Sequence, residues 1–152
     1  MLAGGVDPPI WPRGTSLARF DPGRHACDLH GLFQVTYASG GGKVDAFDAW
    51  WGALRDDPEY DPAWVFLATE KSGRIIGGAQ CWTSAFVKDL AVAEAWRRRG
   101  VGQALLLQVF HSFWRIGATC VDLKVESENP SGAEMLYRGL GMIEICEPGA
   151  QT

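Results

Sequence analysis

Apolar positions along this chain recur with two periods, and the changes between them mark its elements. From 119 to 125 the alternation is strict: Thr119, Val121, Leu123 and Val125 share one face of a strand, and Cys120, Asp122 and Lys124 the other. Just upstream, the helix after Gly102 sets Leu105, Val109 and Phe113 on one stripe, with Leu106, Phe110 and Trp114 beside it. So wide an apolar face belongs against a sheet, and Gly117 ends the helix.

The rest of the chain follows the same logic. Residues 1–14, with Pro8, Pro9 and Pro12, form an irregular lead-in in which Trp11 is a possible anchor. Residues 16–20 are a short strand, and Asp21-Pro22-Gly23 is a turn. A first helix runs from His25 to Tyr37 with Cys27, Leu29, Leu32, Phe33 and Tyr37 apolar, and Gly40-Gly41-Gly42 stops it. Asp45 caps a second helix that carries Phe47, Trp50, Trp51 and Leu54 on one side, with the two tryptophans read as core. Residues 64–69 and 75–82 form a hairpin, and Gly77-Gly78 inside its second strand predicts a bulge or a close backbone approach. A fourth strand covers 85–92. After the strand at 119–125, Asn129-Pro130 opens a last helix with Ala133, Leu136, Tyr137 and Leu140 on one face, and 142–147 is a closing strand. The order β-α-α-β-β-β-α-β-α-β predicts an α/β fold with a mixed sheet covered by helices on both sides.

Composition narrows the function without naming it. At 152 residues and 47% hydrophobic, the chain fits one domain, 1–152, with a real core. A net charge of −4 argues against nonspecific nucleic-acid binding. No apolar run approaches transmembrane length and the start lacks a signal-peptide pattern, so a cytoplasmic protein is expected. Cys27, Cys81, Cys120 and Cys146 have no metal-ligand spacing, which predicts reduced, mostly buried thiols and no metal.

Against that acidic background the junction after the fourth strand stands out. Leu90-Ala91-Val92 leads through Arg97-Arg98-Arg99 and Gly100-Val101-Gly102-Gln103 into the apolar helix. A helix start leaves N–H groups unpaired and carries the positive end of the macrodipole. Glycines let a ligand approach the backbone, and arginines add formal charge. The pattern predicts a cradle for a pyrophosphate.

Two blocks together resemble the GNAT N-acetyltransferase superfamily. The first is Leu90-Ala91-Val92 followed by Arg97-x-x-Gly100-x-Gly102. The second runs from Leu123 through Asn129, Ala133 and Leu136-Tyr137 to Gly139-Leu140-Gly141-Met142. The likeness covers about 63–146 and, more weakly, the chain back to Leu17. It implies a GNAT-like, mostly antiparallel twisted sheet of six to seven strands flanked by about four helices. It also implies transfer of an acetyl group from acetyl-CoA to a primary amine by direct attack, with both substrates bound and no metal. By the same resemblance, the backbone of Leu90, Ala91 and Val92 aligns the pantetheine arm. Arg97, Arg98, Arg99, Gly100, Val101, Gly102 and Gln103 hold the pyrophosphate, and Asn129 and Tyr137 contact the donor. Tyr137 takes the general-acid position, where a phenol protonates the leaving thiolate.

The general base departs from the family pattern. Lys88 and Asp89 stand where many relatives carry a carboxylate. Asp89 is the first candidate, on the opposite face from Lys88, and Glu126 the second. Acidic residues Asp45, Asp48, Asp89 and Glu126 would suit a cationic amine. The short tail after Met142 leaves room for one closing strand where the family has two, which predicts a missing strand or one borrowed in a homodimer. The alternative function is a non-catalytic acyl-CoA-binding or regulatory domain. A nucleotide-binding module is disfavoured because the chain has no Gly-x-x-x-x-Gly-Lys-Ser/Thr run.

Overall fold

Two helical layers sandwich a sheet whose central strand carries adjacent glycines. The computed structural model describes residues 5–38 and 43–123. Within them the order is β1 (Thr15–Arg19), α1 (Pro22–Tyr37), α2 (Phe47–Asp56), β2 (Val65–Glu70), β3 (Ile75–Trp82), β4 (Phe86–Val92), α3 (Val101–Arg115) and β5 (Asp122–Leu123), with two short 3₁₀ turns. The sheet is ordered β1-β2-β3-β4-β5, antiparallel throughout except for β4 with β5. The single parallel pair follows from the α3 crossover. The mixed, mostly antiparallel α/β architecture matches the expectation, with five strands and three α-helices among the described residues. The expected helix from Asn129 and the strand at 142–147, with any borrowed strand, lie outside them.

The two faces are packed separately. On one, Val101, Leu105, Val109 and Phe113 of α3 meet Phe66, Ile76, Ala79 and Val87. Trp64 stacks on Phe113 with ring centroids 4.0 Å apart. On the other face Leu29 and Phe33 of α1 and Trp50 and Leu54 of α2 meet Val65, Leu67 and Ala91. Trp50 is buried against Phe33 and His30, as the core reading of that residue expects. Gly77 and Gly78 make both layers possible. A Cβ on Gly77 would lie 3.0 Å from Leu105 Cδ1, and one on Gly78 would lie 2.5 Å from Leu29 Cδ1. The close approach is therefore real, and the irregularity between Ala68 and Thr69 falls beside it, at Ile76.

Several local expectations are corrected. α1 begins at Pro22: Asp21 is the N-cap, its Oδ1 accepting from Gly23 N–H at 3.1 Å, with proline in the first turn. That turn buries Ala26 and His30 and leaves Cys27 exposed. Cys120 is exposed too, so among the described thiols only Cys81 is buried. α2 starts at Phe47 after Ala46, which makes no side-chain cap; Asp45 instead offers its carbonyl to His30 Nε2 at 2.8 Å.

Strand β5 starts later than its alternation predicts, at Asp122. The N–H groups of Gly117 and Ala118 bond back to Trp114 and Phe113 around Gly117 at φ +92°, a Schellman closure. The chain then reaches the sheet only at Val121, although Val121 and Leu123 do face inward. Trp114 is half exposed and off the buried stripe; a Cβ on Gly5 would lie 3.0 Å from its ring. The lead-in runs along α3, with the Val6 carbonyl 2.6 Å from His111 Nδ1 and Trp11 packed on the core. Among the described residues no helix is long and apolar enough to cross a membrane.

Candidate active site

The junction from β4 to α3 is built to leave backbone donors exposed. β4 ends as Ala93 N–H bonds to the Ile76 carbonyl at 2.8 Å, and a 3₁₀ turn over Glu94–Trp96 follows. Arg97 folds back, its Nε donating to the Val92 carbonyl at 3.1 Å, which ties the turn to the strand. Arg98 takes φ +61° and Gly100 φ +89°. For an arginine that conformation costs about 1–2 kcal/mol. Gly100 caps α3 without a side chain, and its carbonyl accepts from Ala104 N–H at 3.0 Å. From Arg98 to Gln103 no backbone N–H has an acceptor among the described residues. Arg98 and Arg99 are exposed, and the Arg99 guanidinium lies 5.1 Å from the Trp96 ring centroid. N–H groups without an acceptor among the described residues, a helix dipole and formal charge meet at one exposed turn, the chemistry an anion needs.

The far edge of the strand leading in is paired only at its start within the described residues. β3 pairs with β4 from Phe86 to Val92, whereas β5 meets it only at Phe86 and Val87 within the described residues. From Lys88 to Val92 the far edge therefore has no strand partner there. Ala91 packs toward α1, and Leu90 and Val92 toward α3.

A carboxylate corner lies beside that edge. Gln80 pairs with Asp89 but Cys81 with Val87, so Lys88 is an extra, bulged residue in β4. The bulge breaks the alternation that would put Lys88 and Asp89 on opposite faces. Instead Lys88 Nζ lies 3.0 Å from Asp89 Oδ2 and 5.9 Å from the Trp82 ring centroid. Tyr37, at the end of α1, donates its hydroxyl to Asp89 Oδ1 at 3.0 Å. Both carboxylate oxygens are thus engaged, and the Asp89 side chain is only 16% exposed. The lysine side chain is 40% exposed. With its lysine end open to water, the ion pair contributes at most ~1 kcal/mol.

Behind the corner Gln80 is buried; its Nε2 donates to the Cys81 carbonyl at 3.1 Å, and its Oε1 has no partner among the described residues. Burial, and then the Asp89 charge, push the Cys81 thiol well above its ordinary range, so it stays protonated. A small open pocket of about 210 Å³, lined by Gln34, Tyr37, Ala38, Lys43 and Val44, adjoins Tyr37.

Of the residues singled out in the sequence, the structure groups Leu90, Ala91, Val92 and Arg97 to Gln103 at one junction, with Asp89 beside it. Asn129, Tyr137 and the second base candidate Glu126 lie outside the described residues. Tyr37 was missed. Its one signal is a hydroxyl at the last apolar position of α1, where phenylalanine would pack as well.

The family model of the GNAT acetyltransferases matches residues 28–142. The chain belongs to that family. A search of curated proteins found no match. Among solved structures, a GCN5-related N-acetyltransferase from Sphaerobacter thermophilus superposes with a TM-score of 0.80 at 29% identity, over 93% of this chain and 45% of that one. The GNAT chain described here thus spans less than half of that relative. The ribosomal-protein-S18-alanine N-acetyltransferase from Escherichia coli gives 0.69 at 19% identity, over 87% of this chain and 79% of that one. The aminoglycoside N-acetyltransferase AAC(6')-Iy in complex with CoA gives 0.66 at 20% identity, over 91% and 95%. At such identities the last two likenesses are of fold.

Proposed function

We propose that this chain is an N-acetyltransferase domain that moves an acetyl group from acetyl-CoA to a primary amine while both are bound. The observation that carries the reading is the run of N–H groups from Arg98 to Gln103 that have no acceptor among the described residues, with two positive-φ residues where β4 enters α3. Bound there, the donor supplies an activated thioester acyl group. The backbone of Leu90 to Val92 aligns the pantetheine arm, and one N–H on that edge polarises the carbonyl that will be attacked. The backbone donors and arginines hold the pyrophosphate by charge-assisted bonds. Asp89 takes the proton from the acceptor amine, held in place by Tyr37. Tyr137 protonates the departing sulfur, and Asn129 contacts the donor.

Two measurements test this. Acetyl-CoA at 100 times its dissociation constant adds about 2.7 kcal/mol and raises the melting temperature; no shift at any concentration sinks the reading. Thiol release is then followed with a panel of amines: aminoglycosides, peptides with free N-termini, and small amines. The acceptor pocket differs among relatives of one fold, so the panel decides what analogy does not. Replacing Tyr137 by phenylalanine should slow turnover about 100-fold if it is the acid; unchanged turnover returns it to the core.

The engagement of both Asp89 oxygens favours one other reading, a domain that binds acyl-CoA without transfer. Release of thiol with any amine rules it out.

A further inference from the structure

The Lys88–Asp89 pair presents an amine of the protein's own where an acceptor amine has to be. The Lys88 ammonium sits 3.0 Å from the carboxylate read as the base, over the Trp82 ring, on the strand whose next residues align the thioester in the reading above. A bulge puts it there. Without the extra residue at 88, Lys88 would point to the α3 face, away from Asp89. The Lys88 side chain is 40% exposed and absent from the core, so it can leave Asp89 without disturbing the packing.

We propose that Lys88 is an acceptor in its own right, acetylated on Nζ by the donor bound at the same site. The inference rests on the donor reading of the β4–α3 junction. In the step, Asp89 Oδ2 takes a proton from the Lys88 ammonium. The freed Nζ lone pair then forms a C–N bond to the acetyl carbon as the C–S bond breaks. The electron pair leaves on sulfur as the CoA thiolate, and the second proton on nitrogen passes to solvent or to the departing thiolate. No oxidant or further reactant is needed. The product has no charge at position 88, so the ion pair is lost. Once Asp89 has passed the Lys88 proton on to solvent, its Oδ2 is free to take a proton from an external amine, while Oδ1 keeps its bond to Tyr37. Self-acetylation would in this way open the corner for the second substrate.

The test uses the whole wild-type protein with acetyl-CoA and no added amine, followed by peptide mass mapping. Lys71, exposed in the β2–β3 turn, is the internal reference for uncatalysed chemistry. Lys88 should be labelled about 100-fold faster than Lys71, the low end of what a positioned base supplies. The rate per chain should not depend on protein concentration. Asp89→Asn should remove the preference for Lys88, with melting curves confirming that the variant is folded. Labelling of Lys88 and Lys71 at equal rates overturns the proposal. So does an unlabelled Lys88 in protein whose melting temperature acetyl-CoA raises, and that outcome leaves the donor reading intact. If acetyl-CoA neither shifts the melting temperature nor labels Lys88, both fall together.

Discussion

The turn that follows β4 works through its backbone, whereas the corner within that strand works through side chains. At the turn, unpaired N–H groups and two residues at positive φ do the arranging, and the side chains add charge. At the corner, Tyr37 from α1 and Lys88 from β4 meet at the Asp89 carboxylate, and the Lys88 ammonium lies over Trp82 of β3. A backbone site tolerates most substitutions that keep its torsions. A side-chain site fails when one group is lost. The difference suits a shared donor at the turn and a variable acceptor at the corner.

The comparison can be broken at either end. The largest effect is expected at the corner: Asp89→Asn should lower turnover about 100- to 10,000-fold, the range for losing a positioned base, with donor affinity unchanged. Equal losses in donor affinity would mean that the two regions are one. Next is Gly100→Val. A Cβ there meets only Pro12 Cγ at 3.5 Å, an ordinary contact, so the penalty is the φ of +89° and not space. At about 1–2 kcal/mol it should weaken donor binding roughly 5- to 30-fold by titration, if the cradle must keep its shape to bind.

Gly78→Ala separates fold from site. Its Cβ would fall 2.5 Å from Leu29 Cδ1, and overpacking of that kind lowers stability by about 1–3 kcal/mol. Urea unfolding should show this loss, with donor affinity per folded molecule preserved. The smallest effect is at Arg98→Gly. Relief of φ +61° should raise stability by about 1 kcal/mol or less, while donor affinity falls severalfold through the lost charge. A drop in stability would show that Arg98 supports the turn in a way its torsion does not reveal.

Legibility in the sequence follows the same division. The cradle could be read because its signals are local: glycines one residue apart, three arginines, and an apolar period that changes from 2 to 3.6. Strand β3 was predicted to its ends, Ile75 and Trp82, and its glycines were flagged. Errors arose where a short contact decided the outcome. The Asp21 cap lengthened α1, the His30–Asp45 bond displaced the cap of α2, and the Schellman turn at Gly117 delayed the start of β5. Each is a few hydrogen bonds competing with a periodicity that extends over many residues.

Local pattern fixed the element order through β5, the two apolar faces and the glycine- and arginine-bearing turn that opens α3, because periodicity, glycine placement and helix-end electrostatics act between near neighbours. Only the tertiary structure decided where Asp89 points and what it touches. One bulged residue reverses the alternation at Lys88, and Tyr37 reaches the carboxylate from 52 positions away. Neither effect leaves a local pattern: a bulge is set by how two strands pair, and a hydrogen bond between distant residues by how a helix lies on a sheet.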